Sequence, residues 1–175
     1  MKHPQRSSRV ECELTIDDGP SVHTEPLLEA LARLERRAVF FVVGQHIHEH
    51  PRQLDAIAEA GHEIGNHTFD HVALNELDEA GIRDQLIRCN EAIEAHGIST
   101  PTLFRPPYGR TSPTVVEVAE KLGMQQLLWH VTPEDWRPDA PPHETRRAIV
   151  GAGADAVVLL HERANTVEAL RQLHR

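Results

Sequence analysis

Short apolar runs alternate along this chain with stretches whose apolar residues recur at helical spacing, and that alternation constrains the fold more than any other feature. Residues 10–16 read as a first strand. Residues 24–36 read as a helix with Thr24 as its cap, Pro26 in its first turn, and Leu27, Leu28, Leu31 and Leu34 along one face. Val39-Phe40-Phe41-Val42-Val43, ended by Gly44, is the continuous apolar run of a strand covered on both faces. Residues 51–60 predict a helix stopped by Gly61, and 62–66 a third strand. A longer helix capped by Asn75 turns Ile82, Leu86, Cys89 and Ile93 inward and ends at Gly97. Strands over 103–105, 126–131 and 156–160 follow, with helices opening at Ser112-Pro113, over 144–150 and over 166–173. Strands separated by helices run parallel through crossovers, in a barrel or an open sheet.

Either arrangement presents its chemistry at the carboxyl ends of the strands. Asp17 and Asp18 follow the first strand, and His67 and His71 follow the third. Arg105 ends the fourth, Asp135 and Trp136 trail the fifth, and His161 ends the sixth. All the chemically interesting residues thus fall on one face.

Adjacent carboxylates repel, and each raises the other's pKa unless a cation or donor stands close. Neighbours in a strand point different ways, so Asp17 and Asp18 can serve different partners. His67 and His71 have a spacing that would align both imidazoles on one helical face. With one of the aspartates they form a two-histidine, one-carboxylate set, which leaves positions open and suits a divalent transition metal such as zinc. The other aspartate can then act as a base, kept ionised by the permanent charge of Arg105. His161, after five apolar residues, can supply the acid.

Composition narrows the partners. At 175 residues the chain predicts one domain, over 10–175, behind a polar tail over 1–9. A net charge of −9 argues against nucleic acid or an anionic membrane as the main partner. No apolar run approaches the roughly 20 residues that span a bilayer, and the tail lacks the apolar core of a signal peptide, so a cytoplasmic location is expected. Cys12 and Cys89 read as buried small hydrophobes in a reducing compartment. His46, His48 and His50 read as a solvated loop or helix start.

With its motifs in order, the chain resembles the polysaccharide deacetylase family, the NodB-homology domain of carbohydrate esterase family four. They are Thr15-Ile16-Asp17-Asp18-Gly19-Pro20, His67-Thr68-Phe69-Asp70-His71, Arg105-Pro106-Pro107-Tyr108-Gly109, the segment ending Asp135-Trp136, and Leu159-Leu160-His161. The resemblance covers residues 11 to 170. It implies a distorted (β/α) barrel and metal-dependent removal of an acyl group from an amide, less often an ester. Asp17 would be the base, and Asp18, His67 and His71 would hold zinc, or sometimes cobalt or nickel. Arg105 would orient Asp17, and the Tyr108 backbone N–H would help stabilise an oxyanion. Trp136 and Leu159 would line the acetyl pocket, and His161, tuned by Asp135, would protonate the departing amine.

The chain departs from the family pattern at three places: Ile16 replaces the commoner Phe, Thr132 an earlier aspartate of the fourth motif, and Glu162 a common aspartate. Aromatic residues make up only 4% of the chain, with Phe69, Tyr108 and Trp136 expected at the site, too few for a long polymer groove. The expected substrate is therefore an N-acetylated amino sugar or short oligosaccharide. Two alternatives share the fold: hydrolysis of a small intracellular non-sugar amide, and a catalytically silent binding module.

Overall fold

The computed structural model describes residues 12–173, so the start of the predicted first strand and the tail over 1–9 lie outside the described residues. Six parallel strands form one sheet: β1 (Glu13–Gly19), β2 (Ala38–Val42), β3 (Glu63–Asn66), β4 (Leu103–Phe104), β5 (Gln125–Gln126) and β6 (Val157–His161). Their order across the sheet is β5-β4-β3-β2-β1-β6. Beyond β5 the chain returns to the far edge, where Val131 bridges Val158 of β6. That bridge resolves the choice between open sheet and barrel: the sheet curls on itself as the distorted barrel expected.

Among the described residues seven α-helices cover the outside: α1 (Thr24–Arg33), α2 (Gly44–Glu49), α3 (Pro51–Glu59), α4 (Glu79–Glu94), α5 (Pro113–Lys121), α6 (Pro142–Gly151) and α7 (Ala164–Leu173). The pleat decides what each face of the sheet meets. Leu14, Ile16, Phe40, Val42, Val158 and Leu160 point outward into the main core, where Leu27, Leu31, Leu54, Ile57, Cys89 and Leu170 meet them. A second cluster joins Leu74, Ile82, Leu86, Phe104, Val115, Val118 and Met124 beneath α4 and α5. All five β2 residues are buried, as its unbroken apolar run predicts. Cys12 and Cys89 are both buried free thiols, and burial pushes Cys89 up to about 12. No helix among the described residues is long and apolar enough to cross a membrane.

Three local expectations change. Thr24 is the first residue of α1 rather than its cap. Asn75 sits in a short 3-10 turn, and Asp78 caps α4, its carboxylate accepting from the Gly81 N–H at 2.8 Å. The histidine run over 46–50 takes the second of its two expected readings, a helix start, in α2. The fifth strand stops after two residues because the backbone beyond it serves a side chain: the Leu127 carbonyl accepts from Arg105 Nε at 2.8 Å and that of Leu128 from Arg105 Nη2 at 3.4 Å.

Candidate active site

The inner face of the curled sheet carries the polar residues. The β1–β6 register sets Asp17 opposite His161 and Thr15 opposite Leu159, so all four share a face at one end of the barrel. Arg105 leaves β4 into the same interior and is fully buried, its guanidinium 4.3 Å above the Phe41 ring. A buried guanidinium is tolerable only where its donors are answered. Besides the two carbonyls after β5, its Nη1 donates to Thr15 Oγ1 at 2.7 Å and to Asp17 Oδ1 at 2.8 Å. Asp17, 3% exposed, is thus paired with a permanent cation, as expected.

Asp18 is sent elsewhere. The pairing of β1 with β2 runs Asp17 to Phe41 and then Gly19 to Val42, leaving Asp18 as an extra residue at φ 71°. The bulge aims its carboxylate at His67 and His71, whose Nε2 atoms lie 3.5 and 3.0 Å from Asp18 Oδ1. One ligand-capable atom from each of these three residues falls within 4.8 Å of the others.

The residues fit a divalent cation. His67 Nδ1 lies 2.7 Å from the Arg105 carbonyl, which can only accept, so Nδ1 carries the proton and Nε2 turns a lone pair toward Asp18. Asp18 Oδ1 is buried with no hydrogen-bond partner, an orphaned anionic oxygen facing nitrogen donors. Burial alone would raise the Asp18 carboxyl. The His67 and His71 rings beside it outweigh burial, with His161 adding to the field, and hold it far below the usual carboxylate range.

His67 and His71 do not share a helical face. They sit in a loop in which Thr68 and His71 have φ of 69° and 55°, and these left-handed turns replace the helical spacing. Polar side chains clamp the loop. The Asn66 Oδ1 accepts from Thr68 N at 2.8 Å, and the buried Gln85 Oε1 accepts from Phe69 N and Asp70 N at 3.1 and 2.9 Å. Gln85 lies on the buried stripe of α4 one residue from Leu86, where only its amide distinguishes it from core.

His161 faces the triad across a cavity of about 570 Å³. Its Nδ1 meets Asp135 Oδ1 at 2.7 Å, and its N–H donates to Asp135 Oδ2 at 2.8 Å. The Thr166 hydroxyl also donates to Asp135, which is 1% exposed. Burial lowers the His161 pKa, but the hydrogen bond and charge of Asp135 raise it more, and the net shift is upward. Next to it, Glu162 accepts from the Ser21 and Thr24 hydroxyls, and burial raises its carboxyl to about 7. Its Oε1 lies 2.1 Å from where a Cβ on Gly19 would stand, so a side chain after the two aspartates would push the Glu162 carboxyl aside.

Asp17, Asp18, His67, His71, Tyr108, Trp136, Leu159 and His161 all line the cavity, while Arg105 and Asp135 stand behind it. Tyr108, at φ 61°, packs its ring 4.9 Å from that of His71. Among the described residues its N–H makes no backbone hydrogen bond. Trp129 and Arg163 also line the cavity and went unread. Trp129 falls in the stretch read as strand, and its ring instead fills the space beside Gly109, where a Cβ would meet it at 2.7 Å. Phe69, expected at the site, turns away toward Arg88, 3.9 Å from its ring, in a separate groove behind the loop.

The chain is similar to known proteins. The family model for polysaccharide deacetylase matches residues 5–127. The peptidoglycan-N-acetylglucosamine deacetylase of Listeria monocytogenes is 32% identical over 95% of this chain, which spans 35% of that protein's length. A family 4 carbohydrate esterase from Streptomyces lividans, solved in complex with acetate, superposes with a TM-score of 0.89 at 35% identity, covering 94% of this chain and 85% of that one. A CE4 family pseudoenzyme from Bacillus anthracis superposes with a TM-score of 0.88 at 30% identity, covering 98% of this chain and 60% of that one. The chain belongs to the polysaccharide deacetylase family.

Proposed function

We propose that the chain is a metal-dependent hydrolase that removes the acetyl group from an N-acetylated amino sugar or a short oligosaccharide of such sugars. One observation carries the reading: a carboxylate and an imidazole, each with its own buried partner, face one cavity across a triad of Asp18, His67 and His71. The triad would hold a divalent cation, zinc foremost, with cobalt or nickel suited to the same nitrogen and oxygen donors. Such a cation supplies positive charge that acidifies water and polarises a carbonyl.

The chain's own residues do the rest. Arg105 occupies Asp17 Oδ1 and leaves Oδ2 to take the proton from water as its oxygen adds to the acetyl carbon. The Tyr108 N–H donates to the oxyanion that forms. Asp135 holds the proton of His161 Nδ1 and stabilises the imidazolium, whose Nε2 proton passes to the amine nitrogen as the carbon–nitrogen bond breaks. Acetate and a free amine result. Trp136, Trp129 and Leu159 enclose the methyl group and exclude water around it.

The Listeria and Streptomyces relatives support carbohydrate amides and acetate as the chemistry. The Bacillus anthracis pseudoenzyme gives the silent alternative a precedent, against which stand the base, acid and three donor residues all retained here. The test is acetate release from N-acetylglucosamine oligomers, from polymeric peptidoglycan and from small non-sugar amides. Parent and Asp17→Asn proteins are stripped with chelator and resupplied with zinc or cobalt. We expect metal-restored release from oligomers, lower by about 10²–10⁴-fold in the variant. No release from any sugar by the metal-loaded parent would overturn the amino-sugar reading, and release from a small amide would replace it.

A further inference from the structure

We infer that His46 is a positioning residue for Asp18, acting through its main chain; this rests on reading Asp18, His67 and His71 as a metal centre. Asp18 has no opposite number on β2, and its φ of 71° is one that residues with side chains rarely adopt. The bulge that aims its carboxylate also takes its carbonyl out of the ladder. On either side the backbone answers: Glu162 N donates to the Asp17 carbonyl at 3.3 Å, and Val43 N to that of Gly19 at 2.8 Å. Outside the strand ladders, no N–H of the backbone donates to the Asp18 carbonyl among the described residues. The His46 ring does, with Nδ1 at 2.8 Å. A carbonyl only accepts, so Nδ1 is the donor.

His46 belongs to α2, and α2 is anchored to the other two donors. Gly44 N donates to the Thr68 carbonyl at 3.0 Å and Gln45 N to that of Phe69 at 2.9 Å, within the loop that carries His67 and His71. The helix is therefore a brace between the two segments that supply the triad. Backbone bonds fasten it to the histidine loop, and the His46 side chain fastens it to the Asp18 carbonyl. Neither His48 nor His50 makes such a contact among the described residues; His48 is exposed and lies edge-on to Phe69.

The experiment measures zinc dissociation constants by competition with a chromophoric chelator, alongside the visible spectrum of the cobalt-loaded protein. It compares the parent with His46→Ala, His46→Asn and His46→Gln. An asparagine amide nitrogen stands where Nδ1 stands, whereas that of glutamine lies one bond further out. His46→Ala and His46→Gln should each bind zinc about tenfold more weakly, with a shifted cobalt spectrum, while His46→Asn stays within about threefold of the parent. Parent-like affinity in His46→Ala overturns the inference. Should that variant not fold, His46→Asn binding more tightly than His46→Gln supports it and equal affinities overturn it. A parent that binds no zinc overturns the metal reading itself, and the role of His46 with it.

Discussion

Asp17 and Asp18 are neighbours in sequence with opposite surroundings. Asp17 is buried against a guanidinium that never loses its charge, fixed by a strand on each side. Asp18 is a bulge residue at the cavity's edge, its side chain 28% exposed, facing two imidazoles rather than a fixed cation. The pleat and one extra residue thus turn a repelling pair into one carboxylate with a permanent partner and one open to an exchangeable cation. Stability should rest on the first and ligand binding on the second.

The sharpest way to break that contrast is to remove one partner from each side. Arg105→Ala strands a carboxylate in the barrel and should cost about 3–5 kcal/mol of unfolding free energy. His71→Ala, on a half-exposed ring, should leave stability nearly unchanged and abolish tight zinc binding. Chemical denaturation and metal titration check both, and equal stability losses would dissolve the distinction.

A third carboxylate, Glu162, pairs with no cation among the described residues, and its pKa rises from an ordinary 4.5 to about 7. The folded state therefore holds its proton while the unfolded chain releases it, so stability falls as pH rises from 4.5 to 7 and stays lower above. At about 1.4 kcal/mol per pH unit the loss approaches about 3 kcal/mol. Glu162→Gln keeps an acceptor for Ser21 and Thr24 without an ionisable group. It should lose correspondingly less stability between pH 4.5 and 8 in paired denaturation curves, and an identical loss would mean the carboxylate finds an unseen partner.

The smallest effect concerns Asp135 and His161. The raised pKa means that this contact stabilises the fold below the ordinary 6.5 of a free imidazole and that the contribution fades as pH climbs through the folded value. Asp135→Asn removes it. The basic limb of the pH–rate profile should move to lower pH, and turnover should fall about tenfold, a fraction of what a positioned acid contributes. An unmoved limb would assign it to another group.

The residues at strand ends were legible because parallel sheets put chemistry there whatever their curvature. Asp17, Asp18, His67, His71, Arg105 and His161 needed only their place after an expected strand, whereas the role of Asp135 came with the family resemblance. What the sequence hid depends on contacts between distant segments. The strand expected over 126–131 ends early because a guanidinium from residue 105 claims two of its carbonyls. That departure carries Trp129 into the cavity in place of Phe69. The helical spacing of His67 and His71 misled because two left-handed residues can bring imidazoles together as well as a helix can. Gln85 and His46 sit where a core residue and a surface histidine would, and only the backbone groups they meet reveal them.

The register of β1 against β6 has one more consequence. Asp17 and His161 are opposite one another on hydrogen-bonded strands, so the backbones that carry the proposed base and acid form a caliper whose jaws are rooted one sheet spacing apart. Backbone hydrogen bonds lock that setting, so no domain need close before the two groups stand ready. Variation of the loops above it would then change which sugar is held in the jaws and leave the width of their grip alone.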